Sequence, residues 1–478
     1  MVAKTIGFLM GALLPLYLAR RMDQTQVGLY RQAFLVVASA LQILPLGFSM
    51  NSYFFLPREP HRRASVVGNI VYFNLFVGGA AAVVLLIYPK ILMLILAAPA
   101  LVDEGPWIGL MILLMLTGAS LEIIPLANNE MKFASVVFVF LNLMKTAFLL
   151  SAAWWTGNVH GMVLAGIAYG AAACVAQWMY LHARFPGFLS SFDKELLRKQ
   201  LSYSAPLGLV YILYIVQTDL HNYVVSNRFG AAMFAVYSFG TTDLPLITIL
   251  QESVNSVLIP AVGALEQQGR HRETILLLAR AMRKMAALFF PLCAFLLVTG
   301  REFIRFLFTD RYAASWPIFA VNLAMLPLAI VMIDSLYRVY PSQRFMLIRV
   351  RLAAAVLLAA ALWFGTQWFG MVGAIAAVVV VSGGERLFTA FRFARMLEIT
   401  RKDIVFLKDH GKLALASIAA GVTAAVVRMP LVGNRPLVVL AVCGTAFTLV
   451  YAAAVLLLGV PSEDEKNYVL RKLRLARV

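Results

Sequence analysis

Charged residues are scarce in this sequence. Asp, Glu, Lys and Arg make up 13% of the 478 residues, against roughly 25% in an average soluble protein. Apolar residues make up 62%. So few polar groups cannot cover the surfaces of the two to four soluble domains that this length would form. The composition therefore argues against a soluble enzyme, a nucleic-acid-binding protein and a disordered protein, and it predicts that the main solvent is lipid.

Cysteine is also scarce, and its spacing excludes two kinds of site. Cys174, Cys293 and Cys443 lie inside apolar runs, and none has Cys-x-x-Cys spacing or a nearby histidine. Neither a disulfide framework nor a thiolate metal site is indicated, and we expect no metal and no cofactor.

Acidic residues are fewer than basic ones, which gives a net charge of +18. Lys and Arg occur in short groups between long apolar runs rather than on one soluble module, so the charge does not indicate nucleic acid.

The stretch from Lys4 to Ala19 is interpreted as a first span rather than a signal peptide, since no cleavage site and soluble domain follow. With about 20 apolar residues per span, the sequence predicts about fourteen transmembrane helices: 5–20, 32–56, 66–88, 107–127, 133–155, 159–181, 202–226, 231–260, 282–300, 314–337, 347–365, 370–391, 412–429 and 436–459.

The distribution of Lys and Arg predicts the orientation. With the N-terminus in the cytoplasm, inside segments hold 30 basic residues and outside segments hold 10. We therefore expect a multi-pass protein of a bacterial cytoplasmic (inner) membrane with both termini inside. The basic segments also suggest contact with anionic membrane lipids.

An internal repeat indicates a transporter. At an offset of 207 residues, Arg21 aligns with Arg228 and Tyr30 with Tyr237; at 209, the segment Gly161–Ala165 aligns with Gly370–Ala374. An even number of spans per half makes the repeat parallel. The predicted domains are a six-helix bundle at 1–183, a cytoplasmic linker at 184–200, a second six-helix bundle at 201–393, a cytoplasmic loop at 394–411, two extra spans at 412–460 and a basic tail at 461–478.

Short motifs along almost the whole chain resemble bacterial lipid-linked oligosaccharide flippases. This family is the polysaccharide-export branch of the multidrug/oligosaccharidyl-lipid/polysaccharide superfamily. The motifs are Leu18-Ala19-Arg20-Arg21, Val27-Gly28-Leu29-Tyr30, Tyr203-Ser204-Ala205-Pro206-Leu207, Asp219, Phe229-Gly230, Ala235-Val236-Tyr237-Ser238, Pro260, Arg311-Tyr312-Ala313-Ala314-Ser315 and Gly370-Met371-Val372-Gly373-Ala374. The resemblance implies two six-helix bundles facing each other in a V, two further C-terminal helices and alternating access. Arg31 departs from the family, in which this position is often uncharged.

Polar residues on two spans predict a cavity. In a continuous helix, one set on span 231–260 and one set on span 32–56 each form a narrow face. We expect the two faces to line one central cavity that binds substrate; interhelical hydrogen bonding inside each bundle is the alternative. The first set is Ser238, Thr242, Pro245, Glu252 and Ser256, and the second is Arg31, Gln42, Pro45 and Ser49.

Ionisable residues within the spans are further candidates, because each is costly in a membrane. Lys145 lies near the middle of the fifth span, where it is expected to contact either a lipid-linked pyrophosphate or the carboxylate of Glu122. Asp219 is expected to bind a coupling cation or proton, or to anchor the turn between spans 7 and 8. Asp334 and Arg338 are spaced to form a local ion pair, and Asp334 is also a candidate coupling-ion residue.

Three functions remain after these observations. The first is a flippase that moves a polyprenyl-pyrophosphate-linked oligosaccharide, an O-antigen or exopolysaccharide repeat unit, and that could use an H⁺ or Na⁺ gradient and associate with polysaccharide assembly proteins. The second is a cation-coupled multidrug exporter of the same superfamily. The third, a membrane glycosyltransferase or glycan polymerase, is disfavoured by the short outside loops and the absence of an Asp-x-Asp motif.

Overall fold

The computed structural model describes residues 2–242, 244–332, 336–337, 339–340 and 343–461, and all regular secondary structure in these ranges is helical. Asp334 and Arg338, predicted to pair, lie outside the described residues. The α-helices are α1 Val2–Arg21, α2 Gln24–Ile43, α3 Ser52–Arg58, α4 Arg63–Ile87, α5 Lys90–Leu96, α6 Gly105–Gly118, α7 Ile124–Ala127, α8 Met131–Trp155, α9 Val159–Arg184, α10 Lys194–Gly240, α11 Pro245–Gln267, α12 His271–Phe308, α13 Trp316–Asn322, α14 Met325–Leu328, α15 Arg344–Met396, α16 Lys408–Arg428 and α17 Pro436–Leu457.

The described helices are those of a multi-pass membrane protein. Ten of them are long and apolar enough to cross a membrane, or up to eleven if a bent pair within α10 is one span. The all-α membrane fold is thus confirmed, whereas the predicted count of fourteen is not. Part of the difference lies in α15, in which Gly370 (φ 58°, ψ −140°) separates the predicted eleventh and twelfth spans inside one helix of 53 residues.

The first of two compact units contains residues Met1–Phe239 and Ile348–Ala374. In it, α4 packs on α6, α6 on α9, and α8 on both α1 and α9. Small residues permit close helix packing in a membrane. A Cβ atom on Gly109 of α6 would lie 2.9 Å from the Cα of Ala82 on α4, so the two backbones are nearly in contact there.

The second unit contains residues Gly240–Leu347 and Ile375–Val478. Within its described part, α12 packs against α16 and α17, which also pack on each other around Ala420, Ala424 and Cys443. This division by packing is not the predicted division into repeats at residues 183, 201 and 393, which stays a prediction.

The predicted span 32–56 is not one continuous helix. Helix α2 ends at Ile43, and the chain then passes through Leu46 (φ 50°) and Gly47 (φ 67°), both in the left-handed region, before a short 3-10 turn and α3. Glycine adopts such a conformation without steric cost. The helix axis is therefore interrupted in the middle of the span.

The predicted span 231–260 is interrupted as well. Helix α10 ends at Gly240, and α11 begins at Pro245 after Leu244, which has an extended backbone (φ −85°, ψ 111°). Proline has no N–H group and disfavours helical backbone at the residue before it. It therefore starts a new helix here rather than continuing the old one.

These interruptions correct the prediction of two continuous polar faces. A rotation of 100° per residue applies only within one uninterrupted helix. The breaks separate Arg31 and Gln42 from Ser49, and Ser238 from Glu252. The premise that each set lies on one continuous helix is therefore wrong, and a common cavity lined by these residues stays a prediction.

The starts of the interrupted helices agree with the repeat. Helix α2 follows its N-cap residue Asp23, whose carboxylate accepts a hydrogen bond from the backbone N–H of Gln26. The second segment of α10 follows Gly230 (φ 76°, ψ 176°), at the same offset of 207 residues that aligns Arg21 with Arg228.

Candidate functional site

Helix α2 packs tightly against the second segment of α10 near Arg31. A Cβ atom on Gly28 would lie 1.8 Å from the carbonyl oxygen of Ala231, so only glycine fits. The Arg31 guanidinium carbon is 5.2 Å from the centre of the Phe239 ring, which follows Ser238. In the first unit, Arg31 thus contacts the residue that follows Ser238 in the chain. This cation–π contact helps to position the guanidinium.

Lys145 is half-buried on α8 of the first unit. Its Nζ is 5.9 Å from the centre of the Tyr169 ring on α9, and its charge interacts with that of Glu122. No carboxylate oxygen lies within ion-pair distance of Lys145 Nζ among the residues that the structure describes. Glu122 is exposed at the surface of the unit. The two charges are therefore neighbours but do not form a contact ion pair.

Gln42 and Asp219 both link α2 to α10 in the first unit. The Tyr211 hydroxyl donates a hydrogen bond of 3.2 Å to Oε1 of Gln42. The Ser39 hydroxyl donates one of 3.2 Å to Asp219, which is half-buried. This hydrogen bond joins Asp219 to α2 and not to the turn between spans 7 and 8. A single hydrogen bond does not exclude a cation or proton at the carboxylate, so both predicted roles of Asp219 stay predictions.

Glu252 and Ser256 lie on α11 of the second unit, and both are exposed. The Ser256 hydroxyl donates to the carbonyl oxygen of Ser253, 2.8 Å away on the same helix. The Ser238 hydroxyl in the first unit likewise donates to the carbonyl oxygen of Ala235 at 2.9 Å. The predicted substrate-binding residues are therefore divided between the two units, with Arg31, Gln42, Lys145 and Ser238 in the first.

Ser49 belongs to a buried polar cluster inside the first unit. Its hydroxyl is 3.3 Å from that of Ser120 and accepts a hydrogen bond of 3.3 Å from the amide of Asn74, which also donates to Ser120 at 3.0 Å. All three residues are buried. At this position the alternative interpretation, hydrogen bonding between helices of one bundle, describes the structure.

A second buried cluster was not expected from the sequence. The Gln200 amide nitrogen on α10 donates to Oδ1 of Asn51 at 3.1 Å and to the carbonyl oxygen of Val66 at 3.2 Å, and Asn69 donates to Oε1 of Gln200 at 2.9 Å. A single glutamine therefore ties the start of α10 to two earlier helical segments. In the sequence, the position of the Gln200 amide next to an apolar run is the one indication of this cluster.

Three more residues were not predicted from the sequence: Tyr211, Tyr214 and Arg351. The guanidinium carbon of Arg351 on α15 is 4.7 Å from the centre of the Tyr214 ring, and the rings of Tyr211 and Tyr214 are 6.3 Å apart. An arginine near the inner end of a predicted span, as Arg351 is, indicates orientation and not a site. The spacing of two tyrosines by three residues on one helix is the signal that could have identified them.

The described residues contain no group of three or more His, Cys, Asp or Glu side chains that could hold a metal ion. The three cysteines are free thiols; Cys293 and Cys443 are buried, and Cys174 is partly buried.

A model of the polysaccharide biosynthesis protein family matches residues 18–317. The chain belongs to this family. No curated protein sequence shows significant similarity to it. The resemblance inferred from the short motifs is confirmed at the level of the family.

Solved structures of transporters share the fold. The chain is similar to the lipid II flippase MurJ in an inward closed conformation, with a TM-score of 0.72 and 13% identity over 99% of this chain and 98% of that one. It is also similar to an inward-facing multidrug resistance MATE family transporter of the MOP superfamily (TM-score 0.61, 11% identity, 83% and 96% covered). A MATE transporter of Vibrio cholerae matches with a TM-score of 0.57 and 11% identity over 84% and 96% of the two chains.

Proposed function

We propose that the protein is a flippase that moves a polyprenyl-pyrophosphate-linked oligosaccharide, such as an O-antigen or exopolysaccharide repeat unit, from the cytoplasmic to the outer leaflet by alternating access. The membership in the polysaccharide biosynthesis protein family carries this proposal. The protein acts as a transporter and not as an enzyme. It lies in a bacterial inner membrane with both termini in the cytoplasm, and it can associate with polysaccharide assembly proteins.

The extent of the structural similarity supports a lipid-linked substrate. The match to the lipid II flippase covers 99% of the chain, whereas the matches to the MATE transporters leave about a sixth of it uncovered. A match over 99% of the chain includes the two C-terminal helices, α16 and α17, so the chain shares them with a flippase.

Lys145 supports an anionic substrate. An ammonium group within a membrane span needs a compensating anion. Among the described residues, the charge of Glu122 acts on Lys145 without forming an ion pair with it. A pyrophosphate group carries the charge that would complete its surroundings. The other explanation is a structural pair with Glu122, and a set of variants distinguishes the two.

The test uses purified protein in liposomes with a fluorescent polyprenyl-pyrophosphate disaccharide and follows its transfer between leaflets. If Lys145 binds substrate, Lys145→Ala and the double variant Lys145→Ala/Glu122→Gln lose transport by tenfold or more, and Glu122→Gln and Lys145→Arg retain it. If the pair is structural, both single variants lose activity and the double variant regains it. Arg31→Ala and Glu252→Ala test two of the other predicted substrate-binding residues in the same assay.

A cation-coupled multidrug exporter is the second candidate, and the similarity to the MATE transporters favours it. Asp219 and Glu122 would then supply the proton or Na⁺ sites, as they would in a flippase driven by an ion gradient. Export of a cationic dye that depends on an imposed Na⁺ or H⁺ gradient, without transfer of any lipid-linked glycan, would favour this candidate over the flippase.

A further inference from the structure

A cluster on the first unit is built by three helices, α2, α10 and α15. Its members are Gln42, Tyr211, Tyr214 and Arg351. Tyr211 and Tyr214 are one turn apart on α10, with ring centres 6.3 Å apart and ring planes inclined by 30°. Gln42 of α2 accepts a hydrogen bond from the Tyr211 hydroxyl, and the Arg351 guanidinium of α15 lies 4.7 Å from the Tyr214 ring centre. We call these four residues the tyrosine–arginine cluster.

The cluster is open rather than packed. Tyr211 and Tyr214 are each 42% exposed, although they lie in the middle of the predicted span 202–226. Within the described part of the chain, the buried Arg351 Nε has no hydrogen-bond partner. A guanidinium group and phenol hydroxyls are costly against lipid. This face therefore meets water or a polar ligand.

The chemistry of the cluster matches a phosphorylated sugar. Exposed tyrosine rings offer apolar faces with a polar rim, which can stack on the C–H face of a sugar ring. The Gln42 amide and the tyrosine hydroxyls can exchange hydrogen bonds with sugar hydroxyl groups. A guanidinium group presents donors that fit phosphate oxygens.

The charge of the cluster disfavours a cationic ligand. Arg351 is its only charged member, and Asp219, the carboxylate further along α10, is hydrogen-bonded by Ser39. A positively charged aromatic drug placed on the tyrosine rings would be repelled by the guanidinium, whereas a sugar linked to phosphate would be attracted.

We propose that the tyrosine–arginine cluster is a saccharide–phosphate subsite, in which Tyr211 and Tyr214 stack on the sugar nearest the lipid, Gln42 binds its hydroxyl groups and Arg351 binds the adjoining phosphate. This subsite rests on the proposed function, because it supplies the recognition of the glycan head group that a flippase for lipid-linked oligosaccharides requires. It also assigns the recognition of sugar and of phosphate to separate side chains, which a binding experiment can resolve.

The experiment measures the affinity of the purified full-length protein for two probes, decaprenyl pyrophosphate carrying a disaccharide and decaprenyl pyrophosphate without sugar. We expect the wild type to prefer the glycosylated probe. Tyr214→Ala should reduce that preference by about three- to tenfold, the range for loss of one aromatic contact, and Tyr214→Phe should keep it. Arg351→Gln should weaken both probes to a similar extent, because both carry the pyrophosphate.

A matched control removes another exposed tyrosine from the same unit. Tyr88, at the end of α4, is 54% exposed and takes no part in the cluster, so Tyr88→Ala should keep the wild-type preference. The proposal is overturned if Tyr214→Ala retains the full preference for the glycosylated probe, or if it weakens both probes equally. Competition by a soluble UDP-sugar as strong as that by the glycosylated lipid would assign the cluster to a nucleotide sugar and would also contradict the proposal.

Transport in liposomes separates this proposal from the proposed function. If the wild type moves the glycosylated probe between leaflets while Tyr214→Ala leaves the binding preference unchanged, the subsite fails and the flippase stands. If the wild type moves neither probe but its preference still depends on Tyr214 and not on Tyr88, the flippase fails and the subsite stands.

Discussion

Replacement of Gly28 by alanine tests the contact that joins α2 to the second segment of α10. The added Cβ would lie 1.8 Å from the carbonyl oxygen of Ala231 and 2.3 Å from its carbonyl carbon. Carbon–oxygen contacts are normally about 3.3 Å or longer, so the two backbones must separate by about 1.5 Å. Since backbone atoms cannot rotate away as a flexible side chain can, we expect a cost of about 1–3 kcal/mol, typical of an overpacked interior.

The measurement is thermal unfolding of the purified variant in detergent, followed by loss of the monodisperse peak in size-exclusion chromatography. Gly28→Ala should lower the midpoint by roughly 1–3 °C. The control is Gly79→Ala on α4, because a Cβ there meets nothing within 4 Å and alanine favours a helix. If Gly28→Ala unfolds at the same temperature as Gly79→Ala, the close approach of α2 to α10 is wrong.

Two further variants test polar contacts within single units. Glu302→Gln removes the charge that binds Arg428 through hydrogen bonds of 2.7 and 3.1 Å; the free energy of unfolding should fall by about 1.5–3 kcal/mol, and a double-mutant cycle that shows no coupling between these two residues would refute the contact. Gln200→Leu should cost about 2–4 kcal/mol, because it leaves the buried amide of Asn51 and its neighbours unsatisfied. Denaturation of Gln268→Leu, on an exposed turn, provides the reference, and equal stability of the two leucine variants would contradict the buried cluster.

Hydropathy was sufficient to predict the class of the fold. Long apolar runs that alternate with basic groups are a property of each segment alone, and the bilayer imposes the helical conformation on them. Gly28 is visible in the sequence as part of the motif at residues 27–30. Its role in packing depends on Ala231, which lies opposite it in the structure. The family could be predicted because several different short motifs that resemble those of the family are distributed along the chain.

The interruptions of the second and eighth spans were harder to predict. Pro45 and Pro245 are visible in the sequence, but transmembrane helices often tolerate proline, because neighbouring groups satisfy the freed carbonyl. The break after Ile43 is also supported by a tertiary contact, since a Cβ on Gly208 of α10 would lie 2.4 Å from the carbonyl oxygen of Leu46. Such a contact cannot be read from either segment alone.

The residues of the candidate site were predicted only in part. Lys145 and Asp219 were identified because an ionisable group inside a span is unusual by itself. The cluster of Tyr211, Tyr214 and Arg351 was missed, because tyrosines are common in spans and an arginine near a helix end normally reports orientation. Their significance depends on the contact of Tyr214 on α10 with Arg351 on α15, two residues that are more than 130 positions apart in the chain.

The most direct test of the account is the transfer of a lipid-linked glycan by the protein alone. Liposomes containing purified protein and a fluorescent polyprenyl-pyrophosphate disaccharide are treated with a membrane-impermeant quencher, which reports the probe in the outer leaflet. If the protein is a flippase, the protected inner-leaflet probe becomes accessible faster than in protein-free liposomes and in liposomes containing Lys145→Ala. Equal rates in all three preparations, together with export of a cationic dye driven by an ion gradient, would contradict it.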